Sequence, residues 1–183
     1  MIKETSTKNK GFTLVEAMVA ISILSLAVTG PLVIAQKGIG SAVYARDQIT
    51  ASYLAQEAVE YVRNVRDTNR IEGDPWLTNL FNCLETGAGQ RCTIDARFKD
   101  PSVEGAITAC PPGLCPILMI GTEHNLYGYG TGEGWRATPF TRTVYVDNRI
   151  FDREAMVSVT VEWSTSLFAP KRTFTVKEYL LDF

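Results

Sequence analysis

One carboxylate could do chemistry because it lies inside an apolar run. Residues 12–35 contain no Lys or Arg, and their single acidic residue is Glu16. A charge at the centre of a bilayer costs about 2.5–3.5 kcal/mol, and less near the end of a span, where Glu16 lies. Such an acid indicates a partner. If the chain is cut before Phe12, the new α-amino group lies one helical turn from Glu16 and can neutralise it, in its own chain or the next.

Four cysteines form the second candidate group. Eight residues separate Cys83 from Cys92, and the PPGL turn separates Cys110 from Cys115. Four cysteines allow three connectivities, and these spacings favour the two local disulfides. The alternative is a zinc site, but C-x8-C and C-x4-C do not match the usual C-x2-C pairs. The four cysteines also hint at an oxidising compartment.

The remaining composition argues against several functions. The single histidine, His124, disfavours histidine metal sites and catalytic triads and is expected at the surface or in a turn. The formal net charge of -2 does not indicate bulk nucleic-acid binding. We find no nucleophile–base pair, no carboxylate pair with a cleft and no phosphate loop. We therefore expect no enzyme activity and no cofactor.

The element that positions Glu16 is a helix long enough to cross a membrane. At about 1.5 Å per residue, the 24 residues of segment 12–35 span a bilayer core of roughly 30 Å. The preceding segment, 1–11, contains Lys3, Lys8 and Lys10, which predicts a cytoplasmic N-terminus. A cleaved secretory signal is an alternative, but the run exceeds the usual 7–15 residues. A plain single-pass anchor explains the length but not the acid.

The stretch KGFTLVEAMVAISILSLAV, residues 10–28, resembles the class III signal of type IV pilins and type II secretion pseudopilins. That signal is a short basic leader ending in Gly, followed by a fixed pattern and an apolar helix. The matching residues are Lys10, Gly11, Phe12, Thr13, Leu14, Val15 and Glu16.

The resemblance implies cleavage between Gly11 and Phe12 by a prepilin peptidase, followed by N-methylation of Phe12. Glu16 would recruit an incoming subunit by pairing with a neighbour's N-terminus, and none of these residues is catalytic. The implied partners are other pilin or pseudopilin subunits, in a mixed filament, and an inner-membrane assembly platform. The chain would reside in the inner membrane before it enters an extracytoplasmic filament.

Gly30 and Pro31 interrupt the apolar run, and Pro kinks or locally melts a helix. The pair marks either a bend that unwinds on assembly or a kink with no switching role, and both interpretations stay open.

An amphipathic segment, 36–67, continues the helix, which we expect to run from Phe12 to about Arg66. Glu57, Glu60 and Arg63 fit a pattern that minor pilins and pseudopilins often carry, and we interpret them as solvated or subunit-contacting. The apolar stripe at helical spacing comprises Tyr44, Ala51, Leu54, Ala55, Ala58, Val62 and Val65.

Residues 68–183 are predicted to form an extracytoplasmic head, beginning with a break at 68–75. Three strands are predicted at 140–146, 156–163 and 172–181, and their short connections favour an antiparallel meander. The helix stripe can cover its apolar face, which gives an α+β fold. The resemblance implies this same pilin-like architecture. The run YGYGTGEGW, 127–135, is either a glycine-rich connection or a loop displaying aromatics.

The leading hypothesis is therefore a structural subunit, a minor pilin or pseudopilin of a type IV pilus-like or type II secretion filament. One alternative is a binding module at a filament tip, for adhesion or DNA uptake, that uses Tyr127 and Tyr129. Another is a membrane-anchored exported protein. The residues do not separate a pilus subunit from a secretion pseudopilin.

Overall fold

The computed structural model describes residues 11–84, 90–111, 114–150, 153–164 and 170–182, with only the backbone at 149 and 150. The chain forms two compact units, Met1–Arg46 and Asp47–Phe183. A helix, α1, contributes to both. Its bounds and those of the other elements are α1 Leu14–Glu72, a 3-10 helix Phe81–Cys83, β1 Cys92–Ile94, β2 Ile107–Ala109, β3 Ile117–Gly121, β4 Tyr127–Gly128, β5 Trp135–Ile150, β6 Glu154–Trp163 and β7 Arg172–Leu181.

Helix α1 ends at Glu72, beyond the predicted end near Arg66. The break expected from residue 68 was placed too early, because Asn69 is buried and fastens the last turn to the following loop. Its side-chain amide donates to the carbonyls of Trp76 (3.1 Å) and Thr78 (2.9 Å). The helix then stops at Gly73, whose φ of 82° is a left-handed conformation that glycine adopts without strain.

The second unit, Asp47–Phe183, is called the head from here on. It places the carboxyl-terminal part of α1 against an antiparallel sheet, so the α+β pilin-like layout is confirmed. The predicted apolar stripe is buried from Ala51 onward, but Tyr44, which lies in the first unit, is 37% exposed. The part of the stripe that was expected to cover the sheet, near Leu54 to Val65, is buried as predicted. The buried apolar residues of α1 are Ala51, Leu54, Ala55, Ala58, Val59, Val62 and Val65.

Strand β5 organises the sheet. One edge of β5 pairs with β6 along most of that strand, and β6 pairs with β7. The other edge is shared, because β3 pairs with the first half of β5 and β1 pairs near Val144. This double use explains why β5 runs from Trp135 to Ile150, beyond both ends of the strand predicted at 140–146. Short strands β2 and β4 add to β1 and β3.

The predicted alternation of the C-terminal strands is confirmed. Val157, Val159, Val161 and Trp163 of β6 are buried, whereas the residues between them are partly exposed. On β7, Phe174 and Val176 are half-buried and their threonine neighbours are exposed. One face of the sheet therefore carries the apolar core under α1, and the opposite face is polar.

Both local disulfides are present, Cys83–Cys92 and Cys110–Cys115. The first joins the 3-10 helix to β1 and is fully buried. Because both sulfur pairs are bonded, none of the four cysteines offers a thiolate for the alternative zinc site.

A buried cation joins α1 to the sheet. Arg142 of β5 is fully buried, and its Nη1 donates to the carbonyl of Leu54 (2.9 Å) and to the carboxylate of Glu57 (2.5 Å). Its Nη2 donates to the carbonyl of Ile94 in β1 (2.5 Å). The guanidinium thus holds a helix and two strands together.

This arrangement corrects the interpretation of the charged residues on α1. Glu57 is an internal counter-ion, although its side chain remains 43% exposed. Arg63 donates to both carboxylate oxygens of Glu178 in β7, at 2.5 and 2.6 Å, and also pairs with Glu60. All three side chains keep some exposure, and Glu60 is the most exposed of them, at 65%.

We predict that Glu57→Ala lowers the free energy of unfolding of the head by about 3 kcal/mol, because it leaves the buried Arg142 charge uncompensated. The measurement is urea unfolding of the full-length protein in micelles. Glu60→Ala is the matched control and should change that free energy by less than about 0.5 kcal/mol. Equal effects of the two substitutions would show that Arg142 does not depend on Glu57.

Candidate assembly and binding sites

The first turn of α1 holds the residues of the predicted assembly site. The Thr13 hydroxyl accepts a hydrogen bond from the N–H of Glu16 (3.2 Å), and the Thr13 carbonyl accepts from Ala17 (3.1 Å). Thr13 is therefore the N-cap of α1, and the helix begins one residue later, at Leu14. Gly11 and Phe12 precede the cap as an exposed extension, and the Phe12 side chain is 78% exposed.

Glu16 lies in this first turn with its side chain exposed. The positive end of the helix dipole favours a carboxylate there, which lowers the cost of the charge without providing a counter-ion. The roles of Gly11 and Phe12 in cleavage, of Phe12 in methylation and of Glu16 in assembly remain predictions.

The apolar part of α1 is exposed along its length. It is long and apolar enough to cross a membrane, with a mean hydropathy of 2.2 over its best 18-residue window, none of which is buried. Large side chains that are exposed here include Leu14, Val15, Met18, Ile21, Ile23, Leu24, Leu26 and Ile34. This surface requires an apolar partner, either lipid or protein.

The hydroxyl groups within this apolar segment are satisfied by the helix itself. Ser22, Ser25 and Thr29 each donate to the carbonyl four residues earlier, at 2.7–2.8 Å. Such back-bonding removes the cost of an unpaired hydroxyl in hydrocarbon. Glu16 is therefore the polar group of this segment that still requires a partner.

Gly30 and Pro31 lie inside α1, and the helix continues through both. Pro31 has no N–H to donate to the carbonyl of Ala27, so one backbone hydrogen bond is missing there. Whether the pair acts as a kink or as a segment that unwinds stays a prediction.

The glycine-rich run between β4 and β5 is a tightly packed connection. A Cβ atom at Gly128 would lie 2.3 Å from Nε of Arg97, and one at Gly130 would lie 2.0 Å from the indole of Trp135. The Arg97 guanidinium also stacks on Trp135, 4.4 Å from the ring centroid. These glycines are needed because two large side chains lie directly on the backbone.

The two tyrosines of this run face the protein. Tyr127 makes an edge-to-face contact with Phe140, at 6.5 Å between ring centroids. The Tyr129 hydroxyl donates to the carbonyl of Arg142 (3.5 Å), and burial raises the pKa of Tyr129 to about 12. The interpretation of this run as a loop that displays aromatics was therefore wrong for Tyr127 and Tyr129.

A further buried charge, that of Asp95, was not predicted from the sequence. Asp95 accepts hydrogen bonds from the Arg97 side chain at 2.6 and 2.8 Å and from the N–H of Tyr129 at 3.0 Å. Burial alone would raise the pKa of Asp95, but these hydrogen bonds outweigh it and hold the pKa below its usual range. The pair anchors the glycine-rich run to β1. The sequence signal for this pair was an acid and a cation two residues apart, Asp95 and Arg97, directly after the short strand β1.

His124 is exposed, as predicted, and lies 3.7 Å from Glu123. Within the described ranges, no group of three or more His, Cys, Asp or Glu side chains is arranged to hold a metal ion.

Comparison with known families agrees with the geometry of the N-terminal segment. Residues 6–30 match the family described as the prokaryotic N-terminal methylation motif. This motif is typical of the prepilin signal of type IV pilins and pseudopilins, so the resemblance stated above is confirmed. No curated protein and no solved structure is significantly similar to the chain.

The motif at residues 6–30 and the α+β pilin-like layout together support a type IV pilin-like protein. The N-terminal apolar helix fits anchorage in the inner membrane. The motif also implies processing by a prepilin peptidase and assembly with other pilins in a membrane-associated system.

We predict that Gly130→Ala lowers the free energy of unfolding by about 1–3 kcal/mol, because the new methyl group collides with the Trp135 indole. In a Trp135→Ala background the same substitution should cost much less, since the indole is gone. A double-mutant cycle by urea unfolding measures this coupling. Equal costs in the two backgrounds would show that the close approach does not explain the glycine.

The folded protein should also lose stability in acid through Asp95. The pKa of Asp95 is lower in the folded chain than its unfolded value of about 3.9. Its contribution is therefore present above about pH 4 and is lost as the pH falls through the folded pKa. We expect Asp95→Asn to be less stable at pH 7 and to lose less free energy of unfolding between pH 5 and pH 3. Identical pH profiles would contradict this assignment.

Proposed function

We propose that this protein is a structural subunit, a minor pilin or pseudopilin, of a type IV pilus-like or type II secretion filament. The observation that carries the proposal is the methylation motif at residues 6–30, which overlaps the exposed apolar part of α1. On this proposal the subunit waits in the inner membrane with its N-terminus in the cytoplasm. It then leaves the membrane through an assembly platform and joins other pilin subunits.

The energetics of the apolar helix explain why one acid would control assembly. Lipid solvates the exposed Leu, Ile and Val side chains as well as neighbouring helices do, so their burial supplies little net drive between these two states. The hydroxyls of Ser22, Ser25 and Thr29 are already satisfied. Glu16 is the group whose surroundings improve on assembly, because an incoming amino terminus can pair with its carboxylate.

The N-cap geometry supports the same role. Thr13 closes the helix start, and cleavage before Phe12 would leave a short extension that carries the new ammonium. This ammonium lies close enough along the chain to reach its own Glu16 or, in a bundle, that of a neighbour. The ammonium could then move from its own Glu16 to the Glu16 of a neighbouring subunit. This move would couple cleavage of the leader to subunit addition and would fix the axial register of the two helices.

The proposal assigns the chain a structural role and no catalytic one. Arg142 and Asp95, two of the charged side chains buried in the second unit, are paired with Glu57 and Arg97 of the same unit. The Gly–Tyr run is likewise engaged in packing, so the structure gives no support for surface binding through Tyr127 and Tyr129.

We predict that Glu16→Ala is inserted into the membrane and processed but does not enter filaments. The expected loss in the filament fraction is at least tenfold relative to the wild-type chain, measured by immunoblotting of sheared filaments and membranes. Ser22→Ala is the matched control, because it alters a neighbouring polar residue whose hydroxyl bonds only to its own helix. Its incorporation should equal that of the wild type.

Intact mass spectrometry of the same membranes, without reduction, separates processing from assembly. Both variants should begin with N-methylated Phe12 and lack the four hydrogens removed by two disulfides. Normal incorporation of Glu16→Ala would overturn the role of Glu16. An uncut Met1, in cells with an active prepilin peptidase, would overturn the filament proposal as a whole.

A further inference from the structure

A groove of about 390 Å³ lies on the polar face of the sheet. Its floor is a row across three strands, in which Ile117 of β3 pairs with Thr141 of β5, and Thr141 pairs with Glu162 of β6. Thr141 alternates along β5 with the buried Arg142, whose side chain contacts α1. The floor therefore belongs to the face opposite the helix.

Charged groups without partners surround this floor. Arg91 and Lys171 are exposed, and Glu162 is half-buried. Among the described residues, none of the three has an ion pair or a side-chain hydrogen bond, and the hydroxyls of Thr141 and Thr143 are likewise unbonded. Other cations of the same unit, Arg63, Arg97 and Arg142, are paired with acidic side chains.

An apolar wall completes the groove beside the Cys110–Cys115 disulfide. Leu114 is 74% exposed, and Ile117 is also exposed. Pro116 and Pro139 extend the same wall. Exposed apolar side chains beside unpaired polar groups are the usual composition of a small-ligand site, and the volume falls in the usual range of about 300–1,000 Å³.

The geometry argues against three kinds of ligand. The backbone of β5, in the middle of the floor, is already paired on both edges, with β3 and β1 on one side and β6 on the other, so β5 cannot accept an added peptide strand. Two cations beside one acid, in a chain of net charge -2, are too few for a nucleic acid backbone. A single carboxylate offers too few ligands for a hard metal cation.

We propose that this groove binds a saccharide that carries carboxylate groups, such as a uronic-acid oligosaccharide. Arg91 and Lys171 would bind the carboxylates. Glu162 and the hydroxyls of Thr141 and Thr143 would exchange hydrogen bonds with sugar hydroxyls. Leu114 and Ile117 would contact the C–H face of a ring.

The test is isothermal titration calorimetry of the full-length, unassembled protein in a detergent without a sugar headgroup. The probe is trigalacturonic acid at about 150 mM salt. Maltotriose has the same number of rings without carboxylates, and hexaglutamate is an acidic peptide. We expect trigalacturonic acid to bind at least tenfold more tightly than either control ligand.

Paired substitutions locate the binding. Arg91→Gln combined with Lys171→Gln should weaken trigalacturonic acid binding at least tenfold. Lys177→Gln removes a charge from the polar face of β7 outside the groove and should leave the affinity unchanged. Thermal melts of each variant should match the wild type, because all three side chains are exposed.

Three results would overturn the proposal. They are no binding of trigalacturonic acid at millimolar concentration, equal affinity for hexaglutamate, and binding that survives the double substitution. Because binding is measured on protein outside a filament, these failures leave the proposed assembly role intact.

Discussion

The architecture of the head depends on a guanidinium placed where an apolar side chain would be expected. Arg142 occupies the apolar face of β5 and reaches α1 and β1 at once. A buried cation of this kind is expensive unless its donors are satisfied, and Nε of Arg142 has no hydrogen-bond partner among the described residues. The carbonyls and Glu57 that bind Nη1 and Nη2 therefore have little freedom to move. The requirement fixes the rotation of the helix about its axis as well as its position along the strands. Hydrophobic packing alone tolerates slippage, whereas directional hydrogen bonds do not.

The two compact units satisfy their polar groups in different ways. The head pairs its internal charges within itself, through Arg142 with Glu57 and Arg97 with Asp95. The apolar segment satisfies its hydroxyls by back-bonding but leaves Glu16 without a counter-ion among its described neighbours. A head whose internal charges are already paired is suited to exposure at a surface. A helix whose Glu16 still requires a counter-ion is suited to assembly with other subunits. This division agrees with the methylation motif and the pilin-like layout of the chain.

Strands whose residues alternate over several positions could be predicted from the sequence, whereas shorter strands could not. The residues of β6 alternate from Val157 to Trp163 and those of β7 from Thr173 to Lys177, and their faces were predicted correctly. The strands β1 to β4 have two to five residues, too few for any period to show, so the seven-stranded sheet was missed. The end of α1 was misplaced because it depends on the side chain of Asn69, a tertiary contact that local composition does not report.

Charged residues were the harder case, although a usable signal existed. Phe140, Arg142, Val144 and Val146 share one face by the two-residue period, so an arginine on the apolar face already required an acidic partner. Glycine composition was also misleading. The alternating glycines near Gly130 suggested a mobile display loop, but they reflect the close approach of Arg97 and Trp135. By contrast, the assembly motif was evident because its position and context both matched.

The buried Cys83–Cys92 bond sets an order of events in the maturation of the head. Both residues are fully inaccessible once α1, the 3-10 helix and β1 have come together. An oxidant must therefore reach the two thiols before that closure, since no reagent reaches them afterwards without opening the core. The redox state of Cys83 and Cys92 in the folded head therefore reflects the compartment in which the core closed. A chain that closed its core before export would carry two sealed thiols for as long as it stayed folded.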